Sequence, residues 1–121
     1  MNEQDISYRS MLEMDILMWR VIKLFLKNKK QALEKLNLTC SQFEMLSAIH
    51  YLLDIKSDVI QADLSERTTI DPMTTSIILR NLQKKGLITR NRSIINTRTV
   101  EVKLTAKGQE MLKKSYLQVF L

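Results

Sequence analysis

A chain of 121 residues, 45% hydrophobic and 26% charged, has the size and balance of one soluble globular domain, too short for two and too apolar for disorder. Two glycines and one proline leave little room for linkers, and a single cysteine, Cys40, excludes an intrachain disulfide and fits a reducing compartment. The net charge of +6 is unevenly placed: residues 72–121 hold ten Lys/Arg against two Glu (+8), and residues 1–71 hold nine against eleven Asp/Glu (−2). A basic surface confined to the C-terminal half points to a partner that carries phosphates.

The opening Asn2-Glu3-Gln4-Asp5 is acidic, unlike a secretory leader. The most apolar stretch, Met11 to Leu26, is broken by Glu13, Asp15, Arg20 and Lys23, which argues against a membrane span. We therefore expect a cytoplasmic protein with no membrane partner. The first helix should run from about Glu3 to about Lys35, with acidic groups early and basic groups late, as the helix dipole favours. Its middle carries more apolar positions, from Leu12 to Leu26, than one stripe on a small core can use. Part of this surface should pack on its own domain and part on another chain, most simply a second copy.

Thr39 and Gln42 form a capping box that opens a second helix, in which Phe43, Met45, Leu46, Ile49, Leu52 and Leu53 recur at helical spacing. His50, the sole histidine, reads as a core or interface residue, since no second histidine or thiol cluster accompanies it as a metal ligand. A short helix from Ile60 to Arg67 should bury Ile60 and Leu64, with Ala62 beside them. The turn Thr68-Thr69-Ile70 then leads into a helix with its start and stop signals in place. Asp71 caps it, Pro72 suits its first position, and Gly86 follows two lysines where a left-handed residue is wanted. Two such helices joined by a short turn make a helix-turn-helix.

In the second of these helices Thr75, Ile78, Leu79 and Leu82 share one face, expected to be core. The other face presents Met73, Thr74, Ser76, Ile77, Arg80, Asn81 and Lys84. Thr74, Ser76 and Asn81 can exchange hydrogen bonds with base edges, and Met73 and Ile77 can touch thymine methyls. Arg80 can reach a guanine or a phosphate, while Lys84 and Lys85 suit phosphates. Beyond Gly86, strands Leu87–Arg90 and Thr99–Leu104 are expected, the second alternating Val100, Val102 and Leu104 with Glu101 and Lys103. The connecting wing brings Arg90, Arg92 and Arg98 for backbone or minor-groove contact. Thr105 should cap a last helix through Leu112, followed by the apolar end Tyr116 to Leu121, again suggestive of a partner surface.

From Leu38 to Gly108 the chain resembles the MarR family of bacterial winged-helix regulators. The likeness is carried by Leu38-Thr39-Cys40-Ser41-Gln42-Phe43-Glu44-Met45-Leu46, Gln61-Ala62-Asp63-Leu64, Met73-Thr74-Thr75-Ser76 with Leu79-Arg80, Leu82-Gln83-Lys84-Lys85-Gly86-Leu87-Ile88 and the run from Asn96 to Gly108. The resemblance implies a homodimer on a pseudo-palindromic double-stranded DNA operator, with the Asp71–Lys85 helix in the major groove and the wing in the minor groove. Arg98 matches the family's wing arginine. Asn96 stands where that family usually has an aspartate, so an amide must do the positioning. The stretch after Thr105 is also shorter than the family's usual helical tail. Many relatives bind small aromatic or lipophilic effectors beside the dimerisation helices, and Trp19, His50 and Tyr51 are the residues here that could line such a pocket.

The expected fold class is mainly α with a small β-hairpin wing (α+β): a single winged helix-turn-helix domain over 1–121. Within it, about 1–35 and 105–121 serve dimerisation, and about 38–104 form a DNA-binding lobe with its wing at 87–104. The expected function is a dimeric transcriptional regulator, a repressor acting by occupancy. The alternative is a winged-helix module for protein–protein interaction without sequence-specific DNA binding. With no Gly-rich phosphate loop, no metal-ligand spacing and no nucleophile–base set, the sequence reads as non-enzymatic and free of cofactors.

Overall fold

Side chains placed to satisfy open amides start the helices. In the computed structural model, which describes residues 2–96 and 98–121, Asn2 Oδ1 accepts from the Asp5 amide at 2.9 Å and opens α1, Glu3–Glu34. Thr39 and Gln42 cap each other's amides at 3.1 Å ahead of α2, Cys40–Leu53. The Asp63 carboxylate accepts the Ile60 amide at 3.0 Å at the head of α3, Gln61–Thr68. Asp71 accepts the Thr74 amide at 2.8 Å before α4, Pro72–Lys84. Thr105 Oγ1 accepts the Gly108 amide at 3.0 Å before α5, Ala106–Phe120. Each cap removes a donor that would otherwise end the helix unpaired.

Between α4 and α5 lie β1, Ile88–Arg92, and β2, Val100–Leu104, an antiparallel pair with Ile88 opposite Leu104 and Arg92 opposite Val100. The outer edge of β2 is not left open. The Val102 amide donates to the Val59 carbonyl at 2.8 Å and Ile60 bridges Glu101, so the segment before α3 acts as a third short strand. The strand limits differ slightly from expectation for a hydrogen-bonding reason. The Leu87 amide is used to close α4 on the Leu82 carbonyl, and the Thr99 amide is used inside the wing on Asn96.

The core joins the C-terminal end of α1 (Leu33), α2 (Phe43, Met45, Leu46, Ile49), α3 (Leu64), α4 (Ile78, Leu79, Leu82), the hairpin (Leu87, Ile88, Val102) and α5 (Leu112). Thr75, Ile78, Leu79 and Leu82 are all buried, as their spacing requires. Ala62, expected inside, is exposed, because the buried stripe of α3 is centred on Leu64 and a residue two positions away points elsewhere. The last helix also runs past Leu112 to Phe120. Its aromatic residues form a ladder, with Tyr116 edge-on to Phe43 at 5.2 Å and Phe120 against both Tyr116 (5.9 Å) and Phe25 (6.3 Å).

The long first helix departs most from expectation. Residues 2–28 are all exposed, and only Lys29 and Leu33 of α1 are buried. Thus every residue of the apolar middle stays exposed, and at its C-terminal end Phe25 meets Phe120; burial is confined to Lys29 and Leu33. Lys29 closes that joint by pairing with Glu44 while lying 4.8 Å from the Phe43 ring and 5.5 Å from Phe25. No helix among the described residues is long and apolar enough to cross a membrane.

Candidate nucleic-acid interface

The turn between α3 and α4 is fixed from both sides. Thr69 takes a left-handed φ of 58°, and the following Ile70 carbonyl accepts Ser65 Oγ at 2.5 Å and Thr75 Oγ1 at 3.2 Å. This is why a threonine can be fully buried on the core face of α4: its hydroxyl has a partner. Gln61 Nε2 donates to the Pro72 carbonyl at 3.0 Å, a further strap from α3 to the start of α4. At the far end Leu87 donates to Leu82 and Gly86 to Gln83, with Gly86 at φ 76°, so α4 stops in a Schellman motif directly before the wing.

These constraints leave one face of α4 open. Met73 is 76% exposed and Ile77 48%, and Thr74, Arg80, Asn81 and Lys84 are exposed beside them, whereas Ser76 is half-buried. Thr74 is partly committed: its hydroxyl donates to Asp71 Oδ2 at 2.7 Å, leaving the oxygen to accept. The Thr74 amide and hydroxyl together hold the Asp71 carboxyl below the usual carboxylate range. Lys85, expected beside Lys84 as a phosphate ligand, turns back instead. Its ammonium donates to the Asn37 carbonyl at 2.5 Å and to Gln42 at 3.3 Å, tying α4 to the α1–α2 corner.

The wing is attached to the same helix. Arg90 is half-buried and its Nε donates to Gln83 Oε1 at 2.7 Å, so this arginine braces β1 against α4 as well as lending charge. Arg92 and Arg98 are exposed farther out. At the tip, Ser93 Oγ accepts the amides of Ile95 and Asn96, both at 3.2 Å, and Ser93 itself donates to the Thr99 carbonyl at 3.0 Å. Asn96 Oδ1 accepts the Arg98 amide at 3.1 Å. The amide therefore anchors the backbone of Arg98, by a neutral hydrogen bond.

The three aromatic or histidine residues expected at an effector pocket do not converge. Trp19 is exposed on α1 with Lys23 Nζ 4.7 Å from its ring, and Tyr51 lies under the Arg67 guanidinium at 3.8 Å. His50 is not a core residue. It is exposed, 3.9 Å from Asp54, and lines an open groove of about 650 Å³ with Leu112, Tyr116 and Leu117 of α5. Two contacts were not expected: Gln83 meets Arg90 across the Gly86 turn, and Ser93 holds the amides of Ile95 and Asn96 within the wing tip. Among the described residues no group of three His, Cys, Asp or Glu side chains is placed to hold a metal ion.

A long helix, a helix-turn-helix and a two-stranded wing, in this order, define the winged helix-turn-helix architecture. Solved structures share it: MepR of Staphylococcus aureus superposes with a TM-score of 0.79 at 22% identity over 87% of this chain and 75% of that one. A mutant of MarR from E. coli complexed with operator DNA gives 0.75 at 21% identity, covering 93% and 78%. The chain belongs to the family described as transcriptional regulator SarA/Rot, whose model matches residues 27–115. It is 30% identical over 94 residues to the HTH-type transcriptional regulator YdcH of Bacillus subtilis (78% of this chain, 64% of that one). It is also 32% identical over 91 residues to the regulator SarZ of Staphylococcus saprophyticus (74% and 58%). The chain thus spans about three-fifths of the length of these curated relatives. By the descriptions of the family and of these relatives, the family to which the chain belongs is one of transcriptional regulators.

Proposed function

We propose that the chain binds duplex DNA as a homodimer and represses transcription by occupying a pseudo-palindromic operator. The observation that carries this reading is the open face of α4. It is rigidly capped at both ends, lacks acidic side chains between Pro72 and Lys84, and is braced by Arg90 and Gln83 to an arginine-bearing wing. In the major groove Asn81, Ser76 and the Thr74 oxygen would meet base edges, and Met73 and Ile77 thymine methyls. Arg80 would take a guanine or a phosphate, and Lys84, Arg92 and Arg98 would follow the backbone and minor groove. A MarR mutant of this fold is complexed with operator DNA, which supports DNA as the partner.

The dimer reading rests on α1. Residues 3–28 would extend roughly 39 Å at about 1.5 Å per residue, with apolar side chains such as Leu12, Ile16, Trp19 and Val21 uncovered along the way. Leu117 and Phe120 of α5 extend that apolar surface near Phe25. A second copy offers the same surface, which a two-fold contact requires. In this division α1 and α5 hold the dimer and residues 38–104 form the reading lobe of a single domain. Of the effector expectation we keep the groove beside His50, whose size suits a small aromatic or lipophilic molecule.

A fluorescence titration against random-sequence duplexes at two salt concentrations tests the reading. Binding should weaken steeply with salt as counterions are released. A confirmed dimer that binds DNA weakly and without salt dependence would favour the protein-interaction module instead.

A further inference from the structure

The wing ends in something an electrostatic arm does not need. Ile94 and Ile95 are adjacent and 98% and 97% exposed. In the reading above a second copy would cover the apolar surface of α1, but Ile94 and Ile95 lie on a different element, the loop joining β1 and β2, where Ile95 only borders a cleft with Asp58, Ile60 and Glu101. We propose that Ile94 and Ile95 form an apolar wedge that enters the minor groove of bound DNA, unstacks a base step and bends the duplex. This deepens the DNA-binding reading above and rests on it.

Three observations support a DNA occupant. First, the tip is built to hold the pair out. Ser93, itself buried, accepts the amides of Ile95 and Asn96, and Thr99 closes the loop from the other side. Second, the pair is flanked by basic side chains. Arg92 and Arg98 are exposed on either side of it along the chain and Lys56 lines the same cleft as Ile95. Glu101, the one acidic residue of the hairpin, is half-buried against the Val59–Ile60 segment, and Asp58 also lines that cleft. Such flanking charge suits the phosphates on both rims of a groove. Third, the reach is right. A five-residue strand spans roughly 17 Å at about 3.3 Å per residue, half the ~34 Å turn of the duplex, which is the step from a major groove to the next minor groove.

Isoleucine has no donor for the acceptors on the minor-groove floor, so it gains by replacing stacking rather than by reading edges. The wedge should therefore select a step that opens easily, TA or CA/TG, at the wing position. A wedge from this side bends the duplex toward the major groove, hence around α4.

The test uses the full chain and a duplex of about 30 bp recovered by it from a random pool, end-labelled so that energy transfer reports bending. Ile94→Ser/Ile95→Ser should weaken binding at least tenfold, straighten the duplex and leave the salt slope unchanged, since no phosphate contact is lost. Ile94→Leu/Ile95→Leu should restore both affinity and bend. A serine pair that binds and bends DNA like the wild type overturns the wedge, as does one that loses affinity while the bend persists. A serine pair that keeps DNA binding and bending but loses capture of another protein would assign the tip to that protein and overturn it too. If the wild-type chain retains no duplex from the pool, the DNA-binding reading fails and the wedge with it, a result the wild-type control separates from failure of the wedge alone.

Discussion

Gly108→Ala tests the joint that sets the wing against the last helix. Gly108 lies in the first turn of α5, and a methyl there would sit 1.9 Å from the Leu87 carbonyl oxygen and 2.9 Å from its carbon. Both sides are backbone, so no side chain can swing away. To reach a carbon–oxygen contact of about 3.3 Å, α5 and Leu87 must part by roughly 1.4 Å. The same carbonyl accepts the Thr105 amide at 3.1 Å, a bond that such a shift would break. A lost bond of ~1 kcal/mol and an overpacking cost of ~1–3 kcal/mol place the expected destabilisation at about 2–4 kcal/mol. Helix propensity alone pulls the other way, since alanine is favoured over glycine by ~1 kcal/mol in a helix. The sign therefore decides. Urea unfolding followed by circular dichroism, at two protein concentrations because self-association would link stability to concentration, gives the answer. A variant as stable as the wild type, or more so, would refute the close approach of α5 to Leu87.

Gly86→Ala should cost about 1 kcal/mol by the same assay for a different reason, since nothing crowds the site but φ is 76°. The Asp71 carboxyl titrates below its ordinary value, so its stabilising cap is complete above about pH 4 and is lost as pH falls through the lower folded value. Asp71→Asn should flatten that acid limb of the stability profile; an unchanged limb would remove Asp71 from the account. Ile16→Lys/Trp19→Lys on the uncovered face of α1 should convert a dimer to a monomer in sedimentation without lowering helix content, whereas a dimer that survives would move the interface elsewhere. For DNA, Arg80→Ala should cost about 1–3 kcal/mol and relax preference at one base position, while Arg98→Ala weakens many sequences alike. Equal small losses from both would mean that another surface meets the DNA.

Local rules were legible in the residues alone. The caps at Thr39, Asp71 and Thr105, the Gly86 stop and the buried stripe Thr75, Ile78, Leu79 and Leu82 depend on neighbours three or four positions away, which the sequence displays directly. What needed tertiary structure were the choices made between distant groups. Lys85 looked like a phosphate ligand until the Asn37 carbonyl and Gln42 were found beside its ammonium. Arg90 looked like a wing charge until Gln83 proved to hold it. The apolar middle of α1 carries a strong burial signal, yet periodicity gives the direction a side chain faces and not what will cover it; on this chain all of it stays exposed, with Phe25 meeting Phe120 at its end. Ile94 and Ile95 show the same limit from the other side. Their hydrophobicity was plain in the sequence, but only the hairpin, by carrying them away from the core, made it a surface property.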